Sequence, residues 1–450
     1  MASIAVLIII LGCAVLMFLK GTLVRAFATI IVAIIALIAA FSFFESLAGL
    51  IISRGDKGSA ASIVDFAQPL SFVLLFIIVF AGLETLSVYL TRDKVDLGLW
   101  PERIGRPVCG LIVGFIVSGV LVTAIAMAPL PPKYPYERFE STFVKPDSPK
   151  KVLLNADGFV TGLFNTISSG SLSGKRSFSV LHADYINQVF LNRLTKDVSL
   201  LTSTSPAITV PIDKAVWPAP DNLKAQIDEL VKNGDLNKSP GRPSGAYNPI
   251  IARVGIKRSA IKQEAKVTAG TFTPSQLRLV CKRSTELQNL LKGKAISVYP
   301  VGHLASQDQI QVSSEIQLDS RRDFGDAPSR DIDFVFCLPS GYTPVLAEFK
   351  LNSAAQIVQN AILRDSAEAP EPATFFQRAG GQGGNQGSGP GGRGGRGRGG
   401  RGAGGGNFGT RGGNGGGRGS NNDGGYTPQN QAENLTESVT GMGASNELGN

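Results

Sequence analysis

The sequence predicts an α-helical membrane domain of four transmembrane helices, then an α+β, partly β-sandwich-like soluble domain, then a disordered Gly/Arg-rich tail. Three observations predict it. Apolar residues make up 43% of the 450-residue chain and crowd into its first 130 positions. Short Val/Ile/Leu/Phe-rich runs separated by turn residues follow. Glycine, 53 in all, gathers near the C-terminus. A uniform soluble globule is excluded, and so is a wholly disordered chain, which lacks such apolar runs. The expected divisions are 1–130, a linker over 131–151, a soluble domain over 152–375 and a low-complexity tail over 376–450.

The membrane prediction rests on length. A spanning helix needs about 20 mostly apolar residues. Four runs qualify: 4–19, 26–44 with an extension to 52, 69–90 and 108–128. Their apolar residues cover every face, as lipid demands. The first run lacks the basic region that precedes a signal peptide's apolar core, so it reads as a helix, despite a faint lipoprotein-like box at Ile10-Leu11-Gly12-Cys13. Cys13 and Cys109 read as small residues inside helices.

Basic residues set the orientation. Lys20 and Arg25 lie between the first two runs, and Arg92, Lys94, Arg103 and Arg106 between the last two. Arg54 and Lys57 lie between the second and third. The positive-inside rule puts the first and third loops in the cytoplasm and the soluble domain outside. Lys133, Arg138 and Lys145, just behind the fourth run, pull the other way.

Two acids mark the runs. Glu45 stands where the second helix is expected to end, and Glu84 well inside the third. An intramembrane carboxylate is a functional candidate by default. The plainer reading gives Glu84 a hydroxyl partner such as Thr85 or Ser118. Gly110, Gly114 and Ser118 recur every fourth residue, a small-residue face for packing within the bundle or for a homo-oligomer through the fourth helix.

The segment Leu99-Trp100-Pro101-Glu102-Arg103-Ile104-Gly105-Arg106-Pro107-Val108-Cys109-Gly110, with Lys20-Gly21 and Arg25 opening the second helix, resembles the colicin V production protein (CvpA) family. That family shows an Asp-Arg pair, two residues, Gly, three residues, Gly. Glu102-Arg103 and Gly110 fit, while Arg106 stands where the first glycine belongs. The resemblance covers about the first 130 residues. It implies a multi-pass protein of the bacterial inner membrane, linked to toxin production or export. It singles out Glu102, Arg103 and Gly110, to which the intramembrane Glu84 is added.

Within the soluble domain, helices are expected at 183–195 and at 221–232, the latter with Asp221 as N-cap and Gly234 as stop. Strands are expected at 249–256, 276–283, 295–301, 309–318, 331–338 and 344–351, an antiparallel sandwich closing in a hairpin through Pro339-Ser340-Gly341 that is weakly similar to small extracytoplasmic immunoglobulin-like domains. Cys281 and Cys337 fall on strands and form a candidate disulfide if external.

Catalytic signals are thin. Ser168 to Arg176 imitates a phosphate loop but lacks glycine at Ser169 and Ser/Thr at Arg176, so it reads as a flexible loop. His182 and His303 read as surface or hydrogen-bonded residues rather than ligands. Glu315, Asp319, Asp323, Asp326, Asp331 and Asp333 interleave with arginines and read as solvated loop. No enzyme, metal, cofactor or small-molecule substrate is expected.

In the tail, Arg393, Arg396, Arg398, Arg401, Arg411 and Arg418 oppose only Asp423 and supply much of the net charge of +9. Arginines between glycines suit loose, salt-sensitive contacts to an anionic polymer or nucleic acid. The second reading is therefore a membrane-tethered nucleic-acid-binding protein; the first is a non-enzymatic membrane protein of the colicin V production type. The bilayer is the partner common to both.

Overall fold

Helix α1 (Ala2–Leu19) is apolar on every side and leaves most of its surface to lipid. It is the first of four helices long and apolar enough to span a bilayer; the others are α2 (Leu23–Gly55), α4 (Ala67–Leu90) and α5 (Leu99–Met127), with a single turn, α3 (Ala61–Val64), ahead of α4. The computed structural model describes residues 2–19, 22–55, 61–90, 98–140, 144–146, 148–170, 177–194, 207–260, 269–313 and 315–376. The six tail arginines, with Lys20, Lys57, Arg92, Lys94 and residues 171–176, lie outside these.

α5 begins nine residues before the apolar run, so Glu102, Arg103 and Gly110 all stand on one helix. Glycine decides how α5 meets α1. A Cβ on Gly110 would stand 2.6 Å from Ala14 Cα, and one on Gly114 would stand 2.7 Å from Ile10 Cα. The small-residue face is thus filled by α1 of the same chain, with Ser118 buried on α5 and its hydroxyl turned back onto the Phe115 carbonyl. α2 runs antiparallel to α4: Arg25 meets Glu84 at one end, Phe41 meets Phe72 midway, and Ala48 and Ile52 meet Val64 and Ala67 at the other.

Residues 131–151, expected as a linker, are packed where they are described. Phe139 and Val144 are buried, and Val144 N–H donates to Asn237 O at 3.1 Å. Three helices follow: α6 (Ala156–Ser169), the turn α7 (Phe178–Leu181) and α8 (Tyr185–Asn192), whose eight residues are all buried. They dock on the bundle through Phe41, Phe44, Phe72, Phe164, Phe178 and Tyr185, with Phe41 and Phe164 stacked at 5.0 Å.

Two antiparallel sheets form the sandwich. In the first, β3 (Tyr247–Lys257) takes β1 (Ile208–Thr209), β2 (Val216–Pro218) and β10 (Ser329–Pro339), and β7 (Pro300–Ser306) and β8 (Gln309–Gln311) extend it past β10. The second runs β12-β11-β5-β6, from β12 (Ser353–Gln356) through β11 (Tyr342–Phe349) and β5 (Leu277–Arg283) to β6 (Ile296–Val298). A ribbon of β4 (Ala269–Phe272) and β9 (Ile316–Asp319) stands beside them. Alternation builds the core: Val254, Ile256, Phe334 and Phe336 from one sheet face Leu277, Leu279, Ala347 and Phe349 from the other. The first sheet's outer face is covered by α9 (Asp221–Asn233) through Leu223 and Ile227. The second sheet's outer face meets α7, with Val280, Val345 and Leu346 on Val180.

Several expectations change. The run 309–318 divides, because β8 folds back on β7 while β9 pairs with β4. The hairpin through Pro339-Ser340-Gly341 is a crossover between sheets, since β10 has β3 on one side and β7 on the other and offers β11 no free edge. Asp221 is the first helical residue of α9 and Pro220 its cap, while Gly234 ends the helix at φ 80 as expected. Cys281 and Cys337 are free thiols. Cys281 points into the core between the sheets and Cys337 points out toward α9, so strand alternation turns them to different layers.

The α1–α5 seam yields a test. Gly110→Ala forces two backbones apart and is expected to cost about 1–3 kcal/mol, lowering the thermal midpoint of the detergent-solubilised chain. Gly82→Ala, which meets nothing within 4 Å, is expected to leave the midpoint unchanged.

Candidate functional site at the junction of bundle and sandwich

Strand pairing puts charge where the sandwich meets the membrane helices. In Leu277-Arg278-Leu279 and Ala347-Glu348-Phe349 the flanking residues turn into the core, so Arg278 and Glu348 turn out. The register sets them side by side, and Arg278 Nη2 lies 2.6 Å from Glu348 Oε1. Both are nearly fully buried, because α7 and α8 cover them. His182, between those helices, comes within 3.9 Å of Glu348 Oε1 through Nδ1. Its Nε2 reaches Glu45 Oε1 on α2 at 2.6 Å.

Helix length explains why Glu45 is available. At about 1.5 Å per residue Glu45 stands about 33 Å along α2 from Leu23, and a bilayer core is about 30 Å thick. α2 does not end there but continues to Gly55. Glu45 therefore emerges at the sandwich end of the bundle, and a carboxylate of a membrane helix is clasped by an imidazole of the soluble part.

Gln188 of α8 extends the cluster. Its Oε1 lies 3.3 Å from His182 Nδ1, and its Nε2 donates to Ser297 Oγ at 2.6 Å. The Tyr185 hydroxyl is buried beside Glu45 without a hydrogen-bond partner among the described residues. Burial first, and the Glu45 charge second, push that phenol well above its ordinary range. Burial alone would hold His182 neutral. The Glu45 and Glu348 carboxylates outweigh burial and raise the imidazole above its ordinary value, with Arg278 working against them.

Two further contacts fasten the junction. Arg193, fully buried at the end of α8, donates from Nη1 to Ala126 O at 3.0 Å, from Nε to Leu130 O at 3.0 Å, and from Nη2 to Leu130 O at 2.6 Å and Pro131 O at 2.8 Å. These carbonyls lie at and just beyond the C-terminus of α5, where acceptors are left open and a cation is favoured. Burial draws the guanidinium down to about 10, still charged near neutrality. Arg138 donates to Tyr136 Oη at 2.6 Å and to Asn187 Oδ1, and pairs with buried Asp157 at 3.6 Å.

The residues singled out from sequence lie mostly at the other end. Glu84 takes Arg25 Nη2 at 3.5 Å and the Thr29 hydroxyl at 3.1 Å, both from α2. Thr85 and Ser118 instead bond to their own helices. Glu102 is buried, pairs with Arg106 rather than Arg103, and accepts the Leu23 N–H at 3.4 Å. Arg103 is exposed. Glu84 and Glu102 thus hold the start of α2. His303 is buried between Phe334 and Phe375, and burial lowers it to about 4. Asp333 is no loop acid: it holds Arg253 through two bonds at 2.7 and 2.9 Å. Sequence reading missed Arg278, Glu348, Arg193 and the role of His182. The one local signal was a charge breaking each apolar strand.

Two outcomes are expected. Arg193→Leu leaves buried carbonyls unsatisfied and is expected to cost on the order of 3 kcal/mol, seen as a lower thermal midpoint and faster proteolysis near residues 141–151. A raised His182 contributes stability that is complete below its unfolded value of about 6.5 and is lost as pH rises through the higher folded value. Thermal midpoints of the wild type are therefore expected to fall as pH rises above about 6.5, and His182→Gln to flatten that slope.

No curated protein and no solved structure matches the chain. Residues 2–146 match the family model described as Colicin V production protein. That span holds the four helices and the start of the segment that Arg193 and Asn187 grip, and over it the chain is similar to the colicin V production family.

Proposed function

We propose that the protein is a non-enzymatic, multi-pass scaffold of the bacterial inner membrane. It holds its sandwich on the outer face and serves envelope function or the production and export of a peptide toxin. One observation carries the reading: three of the four cations on the described spanning helices gather at one end, with Arg54 alone at the other. Arg25, Arg103 and Arg106 stand at the start of α2 and α5, whereas the sandwich is fastened at the far end through Glu45 and Arg193. The positive-inside rule assigns the first end to the cytoplasm.

Three basic residues behind α5, Lys133, Arg138 and Lys145, oppose this in sequence, and of these Arg138 is committed to buried Asp157 at 3.6 Å. The family's description supplies the link to toxin production. The junction supports a mechanical role, since the soluble part is clasped to the helices instead of hanging from a tether.

Topology tests the reading. Reporters active only outside the cytoplasm, fused after Lys151 and after Arg378, are expected to give signal at both points, and fluorescent reporters that mature only inside are expected to stay dark. Cytoplasmic signal at both points overturns the assignment.

A further inference from the structure

Helix α6 belongs by sequence to the soluble domain, but its composition is unlike the rest of it. Between Lys151 and Lys175 the chain carries a single charged residue, Asp157.

Contacts fix how deep α6 sits. The apolar run of α5 covers residues 108–128, and α5 ends at Met127, at the sandwich end of the bundle. A Cβ on Gly119, in the middle of that run, would strike the Ala156 carbonyl and Val160 of α6. Phe159 of α6 packs on Phe115, with ring centroids 5.0 Å apart. At about 1.5 Å per residue, Gly119 and Phe115 stand about 12 and 18 Å short of Met127. Half a bilayer core is about 15 Å. The first turns of α6 therefore lie level with the middle of the spans. The other neighbours agree: Val152 and Ala156 share a buried cluster with Val6 and Ile10 of α1, and Phe164 stacks on Phe41 of α2.

At that depth the outward groups are apolar or closed. Leu154, at the turn into α6, is 71% exposed, and Phe159 is 44% exposed. Both are unfavourable in water and at ease among acyl chains. The outward hydroxyls of Thr166 and Ser169 donate to the Gly162 and Thr166 carbonyls of their own helix, each at 2.9 Å. Lipid supplies no partner for an open donor, so such closure is what it requires. Asp157 is fully buried, held by Tyr136 and Arg138, and turns no charge outward.

We propose that residues 152–169 form a fifth membrane-embedded element, a re-entrant helix that dips into the leaflet at the sandwich end and turns Leu154 and Phe159 to lipid acyl chains. Its outer surface continues the lipid-facing surface of α1 and α5. The soluble part is thereby sunk into the bilayer as well as fastened to the bundle. The inference rests on the four spans and is the same whichever side of the membrane the sandwich occupies.

Tryptophan fluorescence of the full chain in phosphatidylcholine vesicles, with and without brominated acyl chains, tests this. Leu154→Trp and Phe159→Trp are made in a Trp100→Phe background. They are compared with Ile78→Trp on α4, whose exposed side faces lipid, and with Ile212→Trp, exposed beside Asp213 and Lys214 on the sandwich. Both α6 variants are expected to lose as large a fraction of their added emission to the bromines as Ile78→Trp. Acrylamide in the water is expected to quench Ile212→Trp alone. The proposal is overturned if acrylamide quenches the α6 variants as strongly as Ile212→Trp. It is equally overturned if brominated chains leave them bright, the result a second copy seated on α6 would give. Leu154 is mostly exposed, so its replacement disturbs little packing, and Leu154→Trp decides the matter even where Phe159→Trp fails to fold.

Discussion

A guanidinium without water around it holds the two halves of this protein together. Arg193 leaves α8 and delivers its donors to the carbonyls of Ala126, Leu130 and Pro131. A helix end has acceptors that nothing inside the helix can satisfy. Lipid cannot satisfy them either, and water is excluded here by the packing of Phe190 and its neighbours. The soluble part supplies the missing donors, so the last membrane helix is finished by a residue that follows it by more than sixty positions. The charged networks on either side of α8 are then brought to fixed places.

From that anchor a line of charge runs outward from the membrane. Glu45 on α2 meets His182, His182 meets Glu348, and Glu348 meets Arg278 across two strands. Each group is buried or half-buried, and each would be costly alone. Together they alternate in sign, so the sheet face that carries Arg278 and Glu348 fits only a surface that presents a carboxylate. α2 presents one because it is longer than the bilayer is thick. The length of one helix and the register of two strands therefore answer each other, although neither has meaning alone.

The spans were legible because lipid imposes a local rule: apolar residues on all faces for about 20 positions. α9 was legible because one face packs and the period shows, and β3, β5 and β10, buried on both faces, as short apolar runs between turn residues. What failed was pairing. Glu84 finds Arg25 and Thr29 on another helix, and nothing local marks them as partners. The loss of the hairpin after Pro339 follows from β10 being flanked on both sides, a property of the sheet and not of the turn. α6 escaped notice because Gly158, Thr161, Gly162, Asn165 and Thr166 dilute its apolar stripe, and its helix is secured by docking on α5 rather than by propensity. The segment around Glu102 stood out as residues, but its contacts did not: Glu102 turns to Arg106 and to the start of α2, one turn along the helix from the arginine beside it.

Buried ion pairs add little stability beyond what apolar residues of the same shape would give. Their presence at this junction calls for another reason. An apolar seam between bundle and sandwich would tolerate sliding, because dispersion contacts are non-directional and many registers bury similar area. A charged seam does not slide: moving α7 and α8 by one residue would separate Arg193 from the carbonyls and His182 from Glu45 together, leaving several buried charges unpaired. The aromatic cluster around Phe41 supplies adhesion, and the ionic groups supply position. Chemistry of this kind suits a protein whose soluble part must stand at one height and one angle above the bilayer.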